Sequence, residues 1–151
     1  MLALVGLLAV PVASDGKEPP SFALWTAKWK AQSDKPLDDL ADKCIAIYGE
    51  TADRKVGECF VKGMRVIVRR QIPQWELAVT RISKGQTRAC KKAIHAYWRA
   101  SRKGQKALLI YLDSHPHTSA TQFGRDLGGD PFGMLKQLTD EAKSRAIRVC
   151  G

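Results

Sequence analysis

The segment Thr87–Leu112, TRACKKAIHAYWRASRKGQKALLIYL, decides the fold class. At 100° per residue, Cys90, Ile94, Tyr97, Ser101, Leu108 and Leu112 gather on one side of a helical wheel. Arg88, Lys92, His95, Arg99, Arg102, Lys103 and Lys106 lie within about 60° of one line on the other side. The segment contains no proline and no β-branched run. A 3.6-residue period held this long specifies an amphipathic helix that buries one face and presents the other to solvent or to a partner.

Working upstream, Val56, Cys59, Phe60, Gly63, Met64, Ile67 and Val68 recur at spacings of three and four, with Thr51 as the expected N-cap. Pro73 is expected to kink or break this helix, after which Trp75, Val79 and Ile82 carry the apolar stripe to a turn at Ser83-Lys84-Gly85. Earlier still, Asp34 and Pro36 give a helix-start signal, Leu37, Leu40, Cys44 and Ile47 share a face, and Gly49 is the stop. Phe22, Trp25 and Trp29 follow Pro19-Pro20 and form a short amphipathic helix with Ser21 as its cap. Downstream, residues 114–129 are rich in Gly, Pro, Ser and Thr and read as a loop. Asp130-Pro131 then opens a final helix carrying Leu135, Leu138, Ala142, Ala146 and Val149. With no alternating β-branched segment, the fold class is all-α, an antiparallel bundle of four to five helices.

The first fourteen residues, MLALVGLLAVPVAS, carry no charged side chain. The apolar stretch Leu2–Ala13, with the small residues of Val12-Ala13-Ser14 before Asp15, matches a secretory leader with cleavage after Ser14. It lacks the basic residues such leaders usually begin with, and its other reading is an apolar N-terminal element of a cytosolic chain. The expected organisation is a leader over 1–14, an extension with a short helix over 15–33, and a helical domain over 34–151. Periplasmic or secreted localisation follows from the leader.

Four cysteines, Cys44, Cys59, Cys90 and Cys150, include no closely spaced zinc-type pair, and an even count in an exported chain argues for two disulfides. Three pairings satisfy the count. Cys44 lies five residues before Gly49 and Cys59 eight after Thr51, so an antiparallel hairpin sets them at similar depth. That favours Cys44–Cys59 and leaves Cys90–Cys150; free buried thiols are the alternative in a reducing compartment.

The 151 residues carry 25 Lys+Arg against 15 Asp+Glu, a formal net charge of +10. Leu77–Leu112 holds nine basic residues and no acid, so the remaining 115 residues carry only +1. A hydrophobic content of 44% with four tryptophans excludes a disordered chain, and no apolar run reaches the ~18–20 residues needed to span a bilayer. The basic stripe (Arg88, Lys92, Arg99, Arg102, Lys103, Lys106) has two principal readings: a solvated face that maintains solubility, or a contact surface for a polyanion or an anionic envelope surface. Nucleic acid is the weaker form of the second, because export separates the chain from it and no zinc-finger or RNP-type motif accompanies the charge.

Catalysis finds little in these residues. His95 lies on the stripe, and His115-Pro-His117 offers two metal ligands with only Asp113 adjacent, short of a site. Asp113-Ser114-His115 spells a triad in letters, but consecutive residues rarely converge on one reacting atom. Gly128-Gly129 belongs to no phosphate-cradling pattern. The expectation is a binding protein with no catalytic residue, metal or cofactor.

Cys44, Thr51, Cys59, the Trp98–Arg102 segment, Gly128-Gly129 and Leu138-Thr139 follow an order that resembles the LprI-type lysozyme-inhibitor family of small exported bacterial proteins. The resemblance spans residues 44–150 through spacing. Trp98 and Arg102 stand for the Trp and Arg of the family's W-x-x-Y-R-D segment, with Ser101 and Lys103 at its Tyr and Asp. Cys90 precedes that segment, where the family's third Cys follows it. The resemblance implies a helical, disulfide-stapled, exported binding protein and a lysozyme-type target. Lysozymes are commonly cationic, so such a target would be met by Asp34, Asp38, Asp39 and Asp42, or by Asp113, Asp126 and Asp130, and not by the basic stripe. Asp38 and Asp39 also read as complements to the dipole of a helix starting near Pro36.

Overall fold

The computed structural model describes residues 21–151; the candidate leader and most of the expected extension's non-helical part lie outside the described residues. Five helices follow in order, α1 (Phe22–Tyr48), α2 (Asp53–Ser83), α3 (Arg88–Ser114), α4 (Ala120–Gly128) and α5 (Phe132–Cys150). No strand occurs among the described residues, and the chain is an all-α bundle. Its helix pairs are α1 with α2, α2 with α3, and, most extensively, α3 with α5, while the short α4 lies against α2 and α5.

Both expected disulfides are present. Cys44–Cys59 closes the α1–α2 hairpin, and Cys90–Cys150 joins the start of α3 to the end of α5, which fixes those helices antiparallel. Ser21 caps α1 by accepting from Leu24 N at 3.2 Å, and Gly49 ends it with φ of 80°, a left-handed value that glycine adopts without steric penalty.

Several boundaries differ from those read in the sequence. The helix does not restart near Asp34: α1 runs unbroken through Pro36, so the expected 33/34 boundary falls inside it. An interior proline costs about 3 kcal/mol, because it lacks the N–H and crowds the preceding turn. Burial on both sides of Pro36 offsets that cost: Phe22, Trp25 and Trp29 pack before it, Cys44 after it, and Ser33 O in the disturbed turn accepts from Gln71 Nε2 of α2 at 3.0 Å. The dipole role for Asp38 and Asp39 is overturned with it, since both lie deep inside α1. Likewise α2 continues past Pro73, held by buried Trp75, Ala78, Val79 and Ile82. Thr51 is not its cap; Ala52 occupies that position without a side-chain bond. The expected 114–129 loop contains α4, started by Ser119, which accepts from Gln122 N, and anchored by buried Phe123. Nine residues with two apolar contacts, Phe123 and Leu127, are too few to show a helical period in a Gly- and Thr-rich stretch.

The core has two parts. Phe22, Trp25, Trp29, Trp75, Tyr97 and Trp98 form an aromatic cluster with Ile94, Ala93 and Ala146, in which Trp75 stacks on Trp98 and meets Trp25 and Trp29 edge-on. Such pairs add about 0.5–1.5 kcal/mol each beyond area burial. Val61, Met64, Val68, Leu112 and Phe123 form the second part. Burial pushes the Tyr97 hydroxyl up to about 12, so it stays protonated throughout the physiological range.

At the α3–α4 connection, Asp53 accepts from Thr121 N at 2.8 Å and from Thr121 Oγ1 at 3.0 Å, capping α4 from a different helix. These bonds hold the Asp53 carboxyl below its ordinary value. A hydrogen bond from His117 does the same for Glu58, and one from the Tyr111 hydroxyl for Asp126. Because each folded-state value is depressed, the stability these carboxylates contribute is present above the ordinary carboxylate range and is lost as pH falls through and below it. Melting temperature is therefore expected to drop between about pH 5 and pH 2, with a shallower drop in Asp53→Asn; an unchanged slope in that variant would remove Asp53 from this role.

Candidate functional site

The site is built on α3. Thr87 accepts from Cys90 N at 3.2 Å and starts the helix, and the disulfide at Cys90 pins that end. Ile94, Tyr97, Trp98 and Leu112 turn into the core. Trp98 meets Trp75 of α2, and Ala93 shares the core with Ala142 and Ala146 of α5. With two flanks occupied by α2 and α5, the remaining face is fixed toward solvent.

That face carries the residues read as a stripe. Arg88, Lys92, His95, Arg99, Arg102, Lys103 and Lys106 are all exposed, and Arg88 to Lys106 spans about 27 Å at 1.5 Å per residue. Among the described residues, one carboxylate answers the stripe: Glu76 of α2 pairs with Arg102 at 3.1 Å. The only acid in α3, Asp113, is drawn off the stripe by Arg65, whose Nε lies 2.9 Å away though off the hydrogen-bond direction, and by Arg69 at 3.1 Å. Arg65 also donates to Leu112 O, closing the carbonyl end of α3 onto α2. The positive charges thus stand in a row with little internal neutralisation, which produces an outward potential attractive to phosphate, sulfate or carboxylate groups.

The resemblance residues are not brought to one place. Trp98 is buried in the aromatic cluster against Trp75, while Thr51 precedes α2; the 22 residue steps of α2 from Asp53 to Trp75 correspond to about 33 Å of helix. Arg102 is exposed and bound to Glu76, Gly128 and Gly129 end α4, Leu138 is exposed, and Thr139 donates to Leu135 O within α5. The acids considered for a cationic target are largely engaged inside the molecule. Asp34 pairs with Lys30, Asp39 with Lys35, Asp113 with Arg65 and Arg69, and Asp126 accepts from Tyr111 and Gln122.

His115 and His117 diverge. His115 stacks on Tyr111 with ring centres 4.3 Å apart, whereas His117 Nδ1 lies 3.0 Å from Glu58 Oε1. No group of three or more His, Cys, Asp or Glu among the described residues is arranged to hold a metal. Ser114 Oγ and His115 Nδ1 are 2.9 Å apart, but Asp113 faces the arginines of α2, so the three letters make no triad.

Sequence reasoning missed Arg65, Arg69 and Glu76, which set how much of the α3 charge is left uncompensated. Their contacts with Arg102 and Asp113 cross between helices, and no local pattern announces them. Set against family models, curated proteins and solved structures, the chain matches none.

Proposed function

We propose that this chain is a non-catalytic, exported binding protein that docks onto an anionic envelope surface or polyanion through the exposed face of α3. The carrying observation is the row from Arg88 to Lys106, wholly exposed and answered, among the described residues, by the single carboxylate of Glu76. A face maintained only for solubility gains more from interspersed signs than from one sign in a line. Two disulfides suit an oxidising compartment, and among the described residues no helix is long and apolar enough to cross a membrane. Contact would therefore be peripheral. Lysozyme inhibition, which the LprI-type resemblance implies, draws less support, because of that set only Asp38, Asp42 and Asp130 have neither an ion pair nor a side-chain hydrogen bond described. Undiminished cell-wall lysis by a panel of lysozymes in the presence of excess protein would be the expected outcome.

The test is charge reversal at Arg99, Lys103 and Lys106, which leaves the Arg102–Glu76 pair intact. Each cation near an anionic surface contributes about 1 kcal/mol, so losing three should weaken binding to heparin and to phosphatidylglycerol vesicles by ~100-fold, and reversing their sign by more. Reversal of the exposed Lys28, Lys55 and Lys62 should have a much smaller effect. Binding that survives the α3 reversal, with helicity unchanged, overturns the reading. The heparin and vesicle arms separate a polyanion from a lipid surface.

A further inference from the structure

The cations of α3 form a row that is long, regular and narrow. Counting His95, its positions advance three or four residues at a time from Arg88 to Lys106, with Arg102 and Lys103 sharing a turn. That sets a cation on nearly every helical turn of about 5.4 Å. Carboxylates bound the row on both sides. Toward α2, Glu76 pairs with Arg102 at 3.1 Å. Toward α5, Ala96, one turn from both Lys92 and Arg99, lines a groove together with Asp140 and Glu141. The α3 edge of that groove is low, since Ala89, Ala96 and Ala107 stand about 80–100° round the helix from Arg88. Between Arg88 and Lys106 no large apolar side chain is exposed, and Tyr97 and Trp98 are buried.

Each of these features selects against a class of partner. A bilayer spreads over a helix and its neighbours, so its headgroups would meet carboxylates on both flanks, and the row has no apolar side chain to enter the lipid. Single-stranded nucleic acid is held by base stacking as well as by charge, and the row exposes no aromatic ring to stack on. We infer that the row binds a linear acidic polysaccharide lying along the axis of α3, its sulfate or carboxylate groups accepting from successive turns. This rests on the role proposed for α3 and narrows it to one partner. A polymer one chain wide fits between the flanking acids. The low alanine edge lets sugar rings settle beside the cations, and Gln137 and Ser144 in the same groove offer hydrogen bonds to hydroxyls. The row is about 27 Å long, which fixes how much polymer it can hold at once.

The experiment measures affinity of the full, oxidised chain for heparin-derived tetra-, hexa- and octasaccharides, with phosphatidylglycerol vesicles and a single-stranded oligothymidylate in parallel. Affinity should climb from the tetrasaccharide to the longer chains, level off once the row is filled, and exceed that for the oligothymidylate at equal charge. Lys106→Gln, a change at an exposed residue, should weaken octasaccharide binding about tenfold, the effect of removing one charge-assisted hydrogen bond. The same variant should leave tetrasaccharide binding within about twofold, because a short chain can seat elsewhere on the row. Affinity that ignores length, equal losses for short and long chains in Lys106→Gln, or tighter binding to vesicles or oligothymidylate would each overturn the polysaccharide assignment. If the α3 charge reversal still abolishes that vesicle or oligothymidylate binding, the role of the face stands and only its partner is wrong. Octasaccharide binding that survives the reversal overturns both.

Discussion

A Cys90→Ala/Cys150→Ala variant is expected to lose about 4 kcal/mol of stability, against about 3 kcal/mol for Cys44→Ala/Cys59→Ala. The difference follows from the loops closed, with sequence separations of 60 and 15 residues, because the entropy removed from the unfolded chain grows with the logarithm of loop length. Local structure sharpens the contrast. Among the residues of α5, Ala146 alone is fully buried, so that helix has little apolar burial of its own to hold it once the staple is opened. Its end is also tied to the start of α1, where Phe22 N donates to Gly151 O at 3.0 Å. Releasing α5 should uncover Ala93 and the edge of the aromatic cluster around Phe22 and Tyr97. Urea unfolding followed by tryptophan fluorescence would show this as a lower midpoint and increased dye binding at low urea. Equal losses for the two variants, or a larger loss on opening Cys44–Cys59, would contradict it.

What the sequence made legible was whatever depends on period and on proximity to a turn. The two faces of α3 are written at 3.6-residue spacing, and the fold places them as written, core to one side and cations to the other. The cysteine pairing could be reached because Cys44 and Cys59 flank a short turn and the remaining two have no other partner. Local punctuation misled where tertiary burial outweighed it. Pro36 and Pro73 are strong breakers alone, yet each sits in a helix whose apolar face continues on both sides and packs against a long neighbour. The helix α4 was illegible for the converse reason: its N-cap Ser119 and anchor Phe123 matter only once α2 and α3 are in place to receive them. For the candidate site, the charge row was readable, but its limited neutralisation was not. Glu76 reaches Arg102, and Arg65 and Arg69 remove Asp113, only through the α2–α3 crossing.

Gly57→Ala should cost about 3 kcal/mol or more, although helix propensity alone predicts a gain of about 1 kcal/mol from exchanging glycine for alanine inside a helix. Gly57 is buried on α2 where the α3–α4 connection crosses it, and a Cβ there would fall 2.3 Å from Thr118 O and 2.5 Å from both Ala120 N and Ser119 C. These are backbone atoms, so no rotamer change relieves the contact; α2 and the connection must separate. Separation would stretch the Asp53–Thr121 bonds and the His117–Glu58 pair, which cross the same gap. Gly63 differs, because its Cβ would meet the end of the Leu40 side chain, which can turn aside. At Gly104 in α3 nothing lies within 4 Å of the added carbon, and alanine there should stabilise. Chemical unfolding of the three alanine variants should therefore give a large loss at Gly57, a small effect at Gly63 and a gain at Gly104. A gain at Gly57 would mean that the close crossing does not form. The comparison also separates folding from binding: Gly57→Ala alters no charge on α3, so under conditions where it remains folded its affinity for anionic vesicles should match the parent chain.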